Sequence, residues 1–190
     1  MVRGCRAFLA RPSNRNPHLS MVIAMQPVRI GILSDTHLTR PTPEFKKLVD
    51  LCFAGTAMIL HAGDLTDPLI LKAFNGKEIH AVHGNMCSSA ARQTLPRKKT
   101  ITVGNFTIGI IHNSGYAYDF EDQLSLEFDA VDCIVYGHTH RPVCHKTGGI
   151  LYINPGSFQS TGRFGAPGSF AILEAGEELS ASLYSVPVQR

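Results

Sequence analysis

The sequence predicts an α/β fold built around a parallel sheet. Three observations carry that expectation. Apolar strands and amphipathic helices alternate from Val28 to Val82 in the order strand–helix–strand–helix–strand, the pattern of parallel strands joined by crossover helices. The chain has 190 residues, 44% hydrophobic and 17% charged, a composition that suits one globular core. Polar residues also stand directly after the apolar strands, where open α/β sheets place their ligands.

Each element has a local reason. Val28–Leu33 is a continuous apolar run and reads as a buried strand. Thr42-Pro43-Glu44 then starts a helix, with proline in the first turn. Phe45, Leu48, Val49 and Cys52 recur at helical spacing, and Gly55 ends the helix. Ala57–Leu60 is a second strand. Asp67 caps a short helix through Leu69, Ile70, Ala73 and Phe74, stopped by Asn75-Gly76. Glu78–Val82 is a third strand. Thr100–Val103 and Phe106–Ile111 flank Gly104-Asn105 and predict a hairpin. A helix around Asp119–Phe128 precedes a strand at Val131–Tyr136. Ile150–Ile153, Ser169–Leu173 and Leu179–Val186 then predict a closing meander.

Residues 1–27 differ from the rest. They hold Arg3, Arg6, Arg11 and Arg15 and no acid, with Pro12 and Pro17 breaking any helix. We read them as a disordered tail or an upstream start, with the true start at Met21 or Met25, ahead of an organellar presequence. The domain is expected over 28–190. From Val28 onward 14 basic residues face 15 acidic ones, so charge argues against nucleic acid as a partner. No apolar run reaches the ~20 residues of a membrane span. The five scattered cysteines form no C-x-x-C pair; they predict a reducing, cytoplasmic setting rather than a disulfide framework.

Five apolar strands run straight into Asp, Asn or His. The stretches are Ser34-Asp35-Thr36-His37, His61-Ala62-Gly63-Asp64, His83-Gly84-Asn85, His112-Asn113 and Gly137-His138-Thr139-His140. Carboxylate, amide oxygen and imidazole together suit divalent metals of intermediate hardness. Residues two apart in extended chain point the same way, so Asp35 with His37, and His138 with His140, can each aim at one place. The donors suffice for two ions sharing a bridging carboxylate, and such pairs clamp phosphate oxygens. Each piece alone is weak: a Gly-Asp pair is usually a turn, and a lone histidine such as His112 is usually structural. Five together, each at a strand end, make a site.

As an ordered set these motifs resemble the calcineurin-like metallophosphoesterases. Asn154-Pro155-Gly156-Ser157 is similar to a further motif of their YfcE-type small phosphodiesterase branch. The resemblance implies a four-layer α/β/β/α sandwich. It implies Asp35, His37, Asp64 and His140 around one divalent metal, and Asp64, Asn85, His112 and His138 around a second. Asp64 is then the bridge, and Asp64, Asn85 and His138 carry catalysis. It implies hydrolysis of a small phosphodiester by a metal-bound hydroxide, with manganese first among the metals and nickel, zinc or iron as alternatives. The rival reading is a non-catalytic scaffold of the same fold, like the retromer subunit. The expected partner is a small-molecule phosphoester, and a homo-oligomer stays open.

Three positions depart from the family pattern. Met86 stands where a histidine often assists the leaving group, Cys87 where an aspartate is common, and Asn113-Ser114 follow His112 in place of Gly-His. The metal donors survive all three changes. A protein phosphatase is expected to keep the histidine at position 86. Without it, the chain is expected to favour esters with good leaving groups. His61 and His83 are the candidate replacement acids, with a core or supporting role as the alternative for both and the preferred one for His83, between Val82 and Gly84. Cys87 is read as a loop residue ahead of a soft metal donor. Arg163 and the glycines around it are candidates for binding substrate phosphate. Phe158, Tyr116 and Tyr118 are candidates for lining a pocket, or packing.

Overall fold

A computed structural model describes residues 26–112, 120–159 and 167–188. The leader through Met25, Asn113, Ser114, Tyr116, Tyr118 and Arg163 lie outside the described residues. Among the described residues ten strands form two five-stranded sheets packed face to face, each with helix on its outer side. The layering is the α/β/β/α order that the motifs imply.

The first sheet has the order β10-β9-β1-β2-β3, built from β1 (Val28–Leu33), β2 (Met58–His61), β3 (Glu78–Ala81), β9 (Ser169–Ala175) and β10 (Leu179–Ser185). β1, β2 and β3 run parallel, and β9 and β10 are antiparallel additions. The second sheet has the order β4-β5-β6-β8-β7, from β4 (Lys98–Val103), β5 (Phe106–Ile111), β6 (Cys133–Tyr136), β7 (Val143–Thr147) and β8 (Ile150–Asn154). Its centre, β5-β6-β8, is parallel. Each sheet thus turns the carboxyl ends of its parallel strands toward a shared edge.

Period-two alternation builds the core between the sheets. Ile30, Ile32 and Leu60 from the first sheet face Ile108, Ile110, Val135 and Ile153 from the second. All seven are fully buried, and each such side chain contributes about 2 kcal/mol through burial. The opposite face of the first sheet packs beneath α1 (Pro43–Cys52), a 3-10 helix (Pro68–Phe74) and α2 (Ser89–Thr94). α1 starts where the sequence places it: Thr42 caps the amide of Phe45, and Pro43 occupies the first turn. Phe45, Val49 and Phe53 then reach the sheet. The outer face of the second sheet packs against α3 (Phe120–Leu126) through Leu124.

Three elements differ from the sequence expectation. The final strands do not form one meander: β8 lies parallel beside β6, whereas β9 crosses to the other sheet and pairs with β1. The turn residues are compatible with either course, and only the two-sheet core decides. β7 was not anticipated, although Gly148-Gly149, both at positive φ, close a two-residue hairpin between β7 and β8. The helix after Asp67 is 3-10 rather than α, with the Asp67 cap in place.

Candidate metal centre

All five strand-end loops meet at the shared edge, held across the gap between the sheets by direct hydrogen bonds. The amide of His138, after β6, donates to Asp35 Oδ2, after β1, at 3.1 Å. His112 Nδ1, after β5, donates to the Ala62 carbonyl, after β2, at 2.7 Å. Two glycines permit this closeness. A Cβ at Gly137 would lie 2.1 Å from Ser34 Oγ and 2.5 Å from the Ala62 oxygen, and one at Gly84 would lie 2.2 Å from Asp64 Oδ1.

The backbone carries the same message. Among the described residues, six other than glycine have positive φ: Asp35, His37, Asp64, Thr66, His138 and His140. Five of the six are predicted metal donors. Each such residue costs on the order of 1 kcal/mol, and strain of this kind collects at functional sites.

The donors form two groups. In the first, Asp35 Oδ1 lies 3.1 Å from His140 Nε2 and 3.8 Å from His37 Nε2, and the two imidazole nitrogens are 3.4 Å apart. In the second, His112 Nε2 lies 3.3 Å from Asp64 Oδ2 and 3.1 Å from Asn85 Oδ1, which is 3.0 Å from His138 Nδ1. Metal–ligand bonds of about 2.1 Å place neighbouring donors about 3.0–3.4 Å apart in octahedral or tetrahedral sites. Most of these spacings match, and the Asp35/His37/His140 and Asp64/His112/His138 groups are each compact enough to hold an ion. The residues present therefore fit a pair of divalent cations. All seven predicted donors fall in these two groups; the candidate substrate contacts Arg163, Tyr116 and Tyr118 lie outside the described residues.

Second contacts orient the donors. Ser34 Oγ donates to Asp35 Oδ2 at 2.5 Å, and the Met86 amide donates to Asp64 Oδ1 at 2.7 Å. The bond from His112 Nδ1 to Ala62 fixes the tautomer that presents Nε2 to the site. The Asn154-Pro155-Gly156-Ser157 stretch is a brace: Asn154 Nδ2 donates to Thr139 Oγ1 at 3.0 Å, and Ser157 Oγ donates to the Asp35 carbonyl at 3.0 Å. Ser34 was not singled out from sequence, because a serine after a strand carries no signal of its own.

Burial opposes charging Asp35 and Asp64, yet hydrogen bonds from His140 to Asp35 and from His112 to Asp64, with nearby imidazole charge, hold both carboxyls below their ordinary values. Burial likewise pulls His112 down, but the hydrogen bond to Asp64 and the two carboxylate charges win and raise it. The Asp35 hydrogen bond raises His140. The same carboxylates that favour a protonated imidazole would favour a bound cation, so cation binding there would compete with protons.

The remaining candidates sort by position. His61 is fully buried, with Nε2 3.2 Å from Thr36 Oγ1, and burial lowers its pKa to about 4. It is neutral and shut off from solvent, so it supports the Asp35–His37 loop and is not a leaving-group acid. Cys87 is buried with its sulfur accepting the Gly84 amide at 3.2 Å, as a loop residue rather than a metal donor. Met86 stands 60% exposed beside Asn85. Phe158 is core, packed on the Phe45 and Phe53 rings in the outer cluster beneath α1.

The calcineurin-like phosphoesterase superfamily domain matches residues 28–178. The chain belongs to that superfamily. A probable metallophosphoesterase of Methanothermobacter thermautotrophicus is 34% identical over 158 residues, covering 81% of this chain and 90% of that protein. A phosphodiesterase of Methanocaldococcus jannaschii is 23% identical over 143 residues, 68% of this chain and 83% of its own. Among solved structures, a predicted phosphoesterase of Streptococcus pneumoniae shares the fold at TM-score 0.66 and 22% identity, over 85% of this chain and 91% of that one. Vps29 of Entamoeba histolytica complexed with zinc aligns at TM-score 0.64 and 25% identity, over 83% and 92%. No helix among the described residues is long and apolar enough to cross a membrane.

Proposed function

We propose that the protein hydrolyses a small phosphodiester with two divalent cations held by Asp35, His37, Asp64, Asn85, His112, His138 and His140. The observation that carries this reading is the convergence of two donor groups from five loops, each with metal-ligand spacing. Cations bound there supply Lewis acidity, withdrawing charge from phosphate oxygens and lowering the pKa of water. Asp64, Asn85 and His138 form the catalytic set. Asp64, with one oxygen on the Met86 amide and the other toward His112, fixes the wall between the two groups. Asn85 turns Oδ1 to His112 and His138, which leaves its amide nitrogen to donate to a phosphate oxygen. The N/O donor set suits manganese, nickel, zinc or iron, and the family resemblance puts manganese first. Four described cysteines are free, consistent with a cytoplasmic protein.

Met86 offers no proton, so the chemistry leans on leaving-group quality. In an assay with manganese, an aryl phosphodiester should be cleaved faster than its alkyl counterpart, and Met86→His should raise the alkyl rate selectively. A positioned acid contributes ~10²–10⁴-fold. Equal rates on both esters in the parent protein would remove the argument from Met86. The likeness to Vps29 supports a second reading, a scaffold of the same fold. Absence of turnover with every one of the four metals, on mono- and diesters alike, would favour it.

A further inference from the structure

We infer that Arg92 is a positioning residue that straps the Asn85 loop and sets the affinity of the Asp64/Asn85/His112/His138 group for its cation; this rests on the two-cation reading above. Arg92 lies on α2, a six-residue helix that buries Ala91. Its Nη2 donates to the Asn85 carbonyl at 2.6 Å, and its Nε donates to the Cys87 carbonyl at 3.2 Å. One planar guanidinium thus grips both ends of a three-residue arc. Charge-assisted, two-point bonds of this kind fix geometry as well as distance.

The arc needs that grip. Asn85 and Met86 are exposed, so packing does not hold them. Its inner side is tied by the Cys87 amide to the Gly84 carbonyl at 3.4 Å, by the Gly84 amide to Cys87 Sγ, and by the Met86 amide to Asp64. Its outer carbonyls point to Arg92. Ser88 completes the link, capping α2 through the Ala91 amide while its own amide donates to the Thr66 carbonyl at 2.8 Å. Arg92 therefore acts on the site through the main chain of Asn85, whose side-chain oxygen stands 3.1 Å from His112 and 3.0 Å from His138. The Asp35/His37/His140 group has its own main-chain tie, from Ser157 Oγ to the Asp35 carbonyl at 3.0 Å, and losing Arg92 leaves that tie in place.

The test uses the full chain and Arg92→Met, which keeps length and removes the donors. Manganese is titrated by calorimetry into chelator-treated protein. One site should weaken ~10-fold or more, the usual cost of losing an outer partner of a metal ligand, and the other should not change. Arg92→Lys should recover part of the loss through a single bond, and Gln93→Ala on the same helix should match the parent. Combined with Asn85→Ala, Arg92→Met should add little, because both act on one ligand. In parallel, amide exchange in the metal-free protein should speed up at Met86 and Cys87 in Arg92→Met. Unchanged exchange, or equal weakening of both sites, would overturn the strap. A parent protein that binds fewer than two manganese ions would instead overturn the two-cation reading, while the exchange result still decides whether Arg92 holds the arc.

Discussion

The two donor groups are built differently. In the Asp35/His37/His140 group the carboxylate is fully buried, but the imidazoles are 25% and 36% exposed and lie against each other and Asp35. In the Asp64/Asn85/His112/His138 group the His112 ring is fully buried, anchored to the Ala62 carbonyl, and the Asn85 arc is strapped by Arg92. The first group thus has one buried donor beside two partly exposed imidazoles, and the second has two buried donors, Asp64 and His112. Backbone strain is correspondingly denser in the first, where all three donors sit at positive φ. The lesson is that both sites are braced, the first chiefly through Asp35, by Ser34 and Ser157, and the second at Asp64, Asn85 and His112.

Removing the shared wall should break the contrast altogether. Asp64→Asn keeps the size of the side chain and deletes its charge. Turnover of an aryl phosphodiester should fall ~10³-fold or more, as expected when metal charge stabilisation worth several kcal/mol is lost. The cation-free protein should still unfold cooperatively. Activity retained in Asp64→Asn would show that the second group is not where hydrolysis occurs.

Deleting one imidazole from each group sharpens the contrast. His112→Ala empties a buried position and abandons the Ala62 bond, so cation-free stability in urea should drop by about 2–3 kcal/mol. His140→Ala acts at the solvent edge and should change stability by less than about 1 kcal/mol. Equal losses would mean that the two groups are equally preorganised.

A smaller effect tests the support beneath the first group. His61 is buried neutral with its pKa lowered to about 4, below the ordinary value of about 6.5. The unfolded chain therefore takes up the proton first, and stability is lost as pH falls from about 6.5 toward 4. Between pH 7 and 5, the metal-free parent should lose roughly 2 kcal/mol more than His61→Gln. Parallel pH profiles would place His61 in contact with water.

Much of this was legible before the structure. β1, β2, β3, β5 and β6 announced themselves because each is a short apolar run that ends in a polar residue, and the seven donors lie at those ends. The β4–β5 hairpin followed from Gly104-Asn105. The destination of β9 was not legible: its Ser-Phe-Ala-Ile-Leu pattern suits either sheet, and the choice depends on pairing with β1, more than 130 residues away. The bracing by Ser34 and Arg92 was equally hidden, and the motif holding Ser157 was visible without its role. Those bonds run to main-chain oxygens or to an adjacent carboxylate, and such bonds leave no pattern in residue type.

The central claim is that both groups hold a cation at once. Crystals grown with manganese and measured at an anomalous wavelength test it directly. Two peaks about 3.5–4 Å apart are predicted, one among Asp35, His37 and His140 and one among Asn85, His112 and His138, with Asp64 between them. A single peak, or manganese bound elsewhere with both groups empty, would contradict the account.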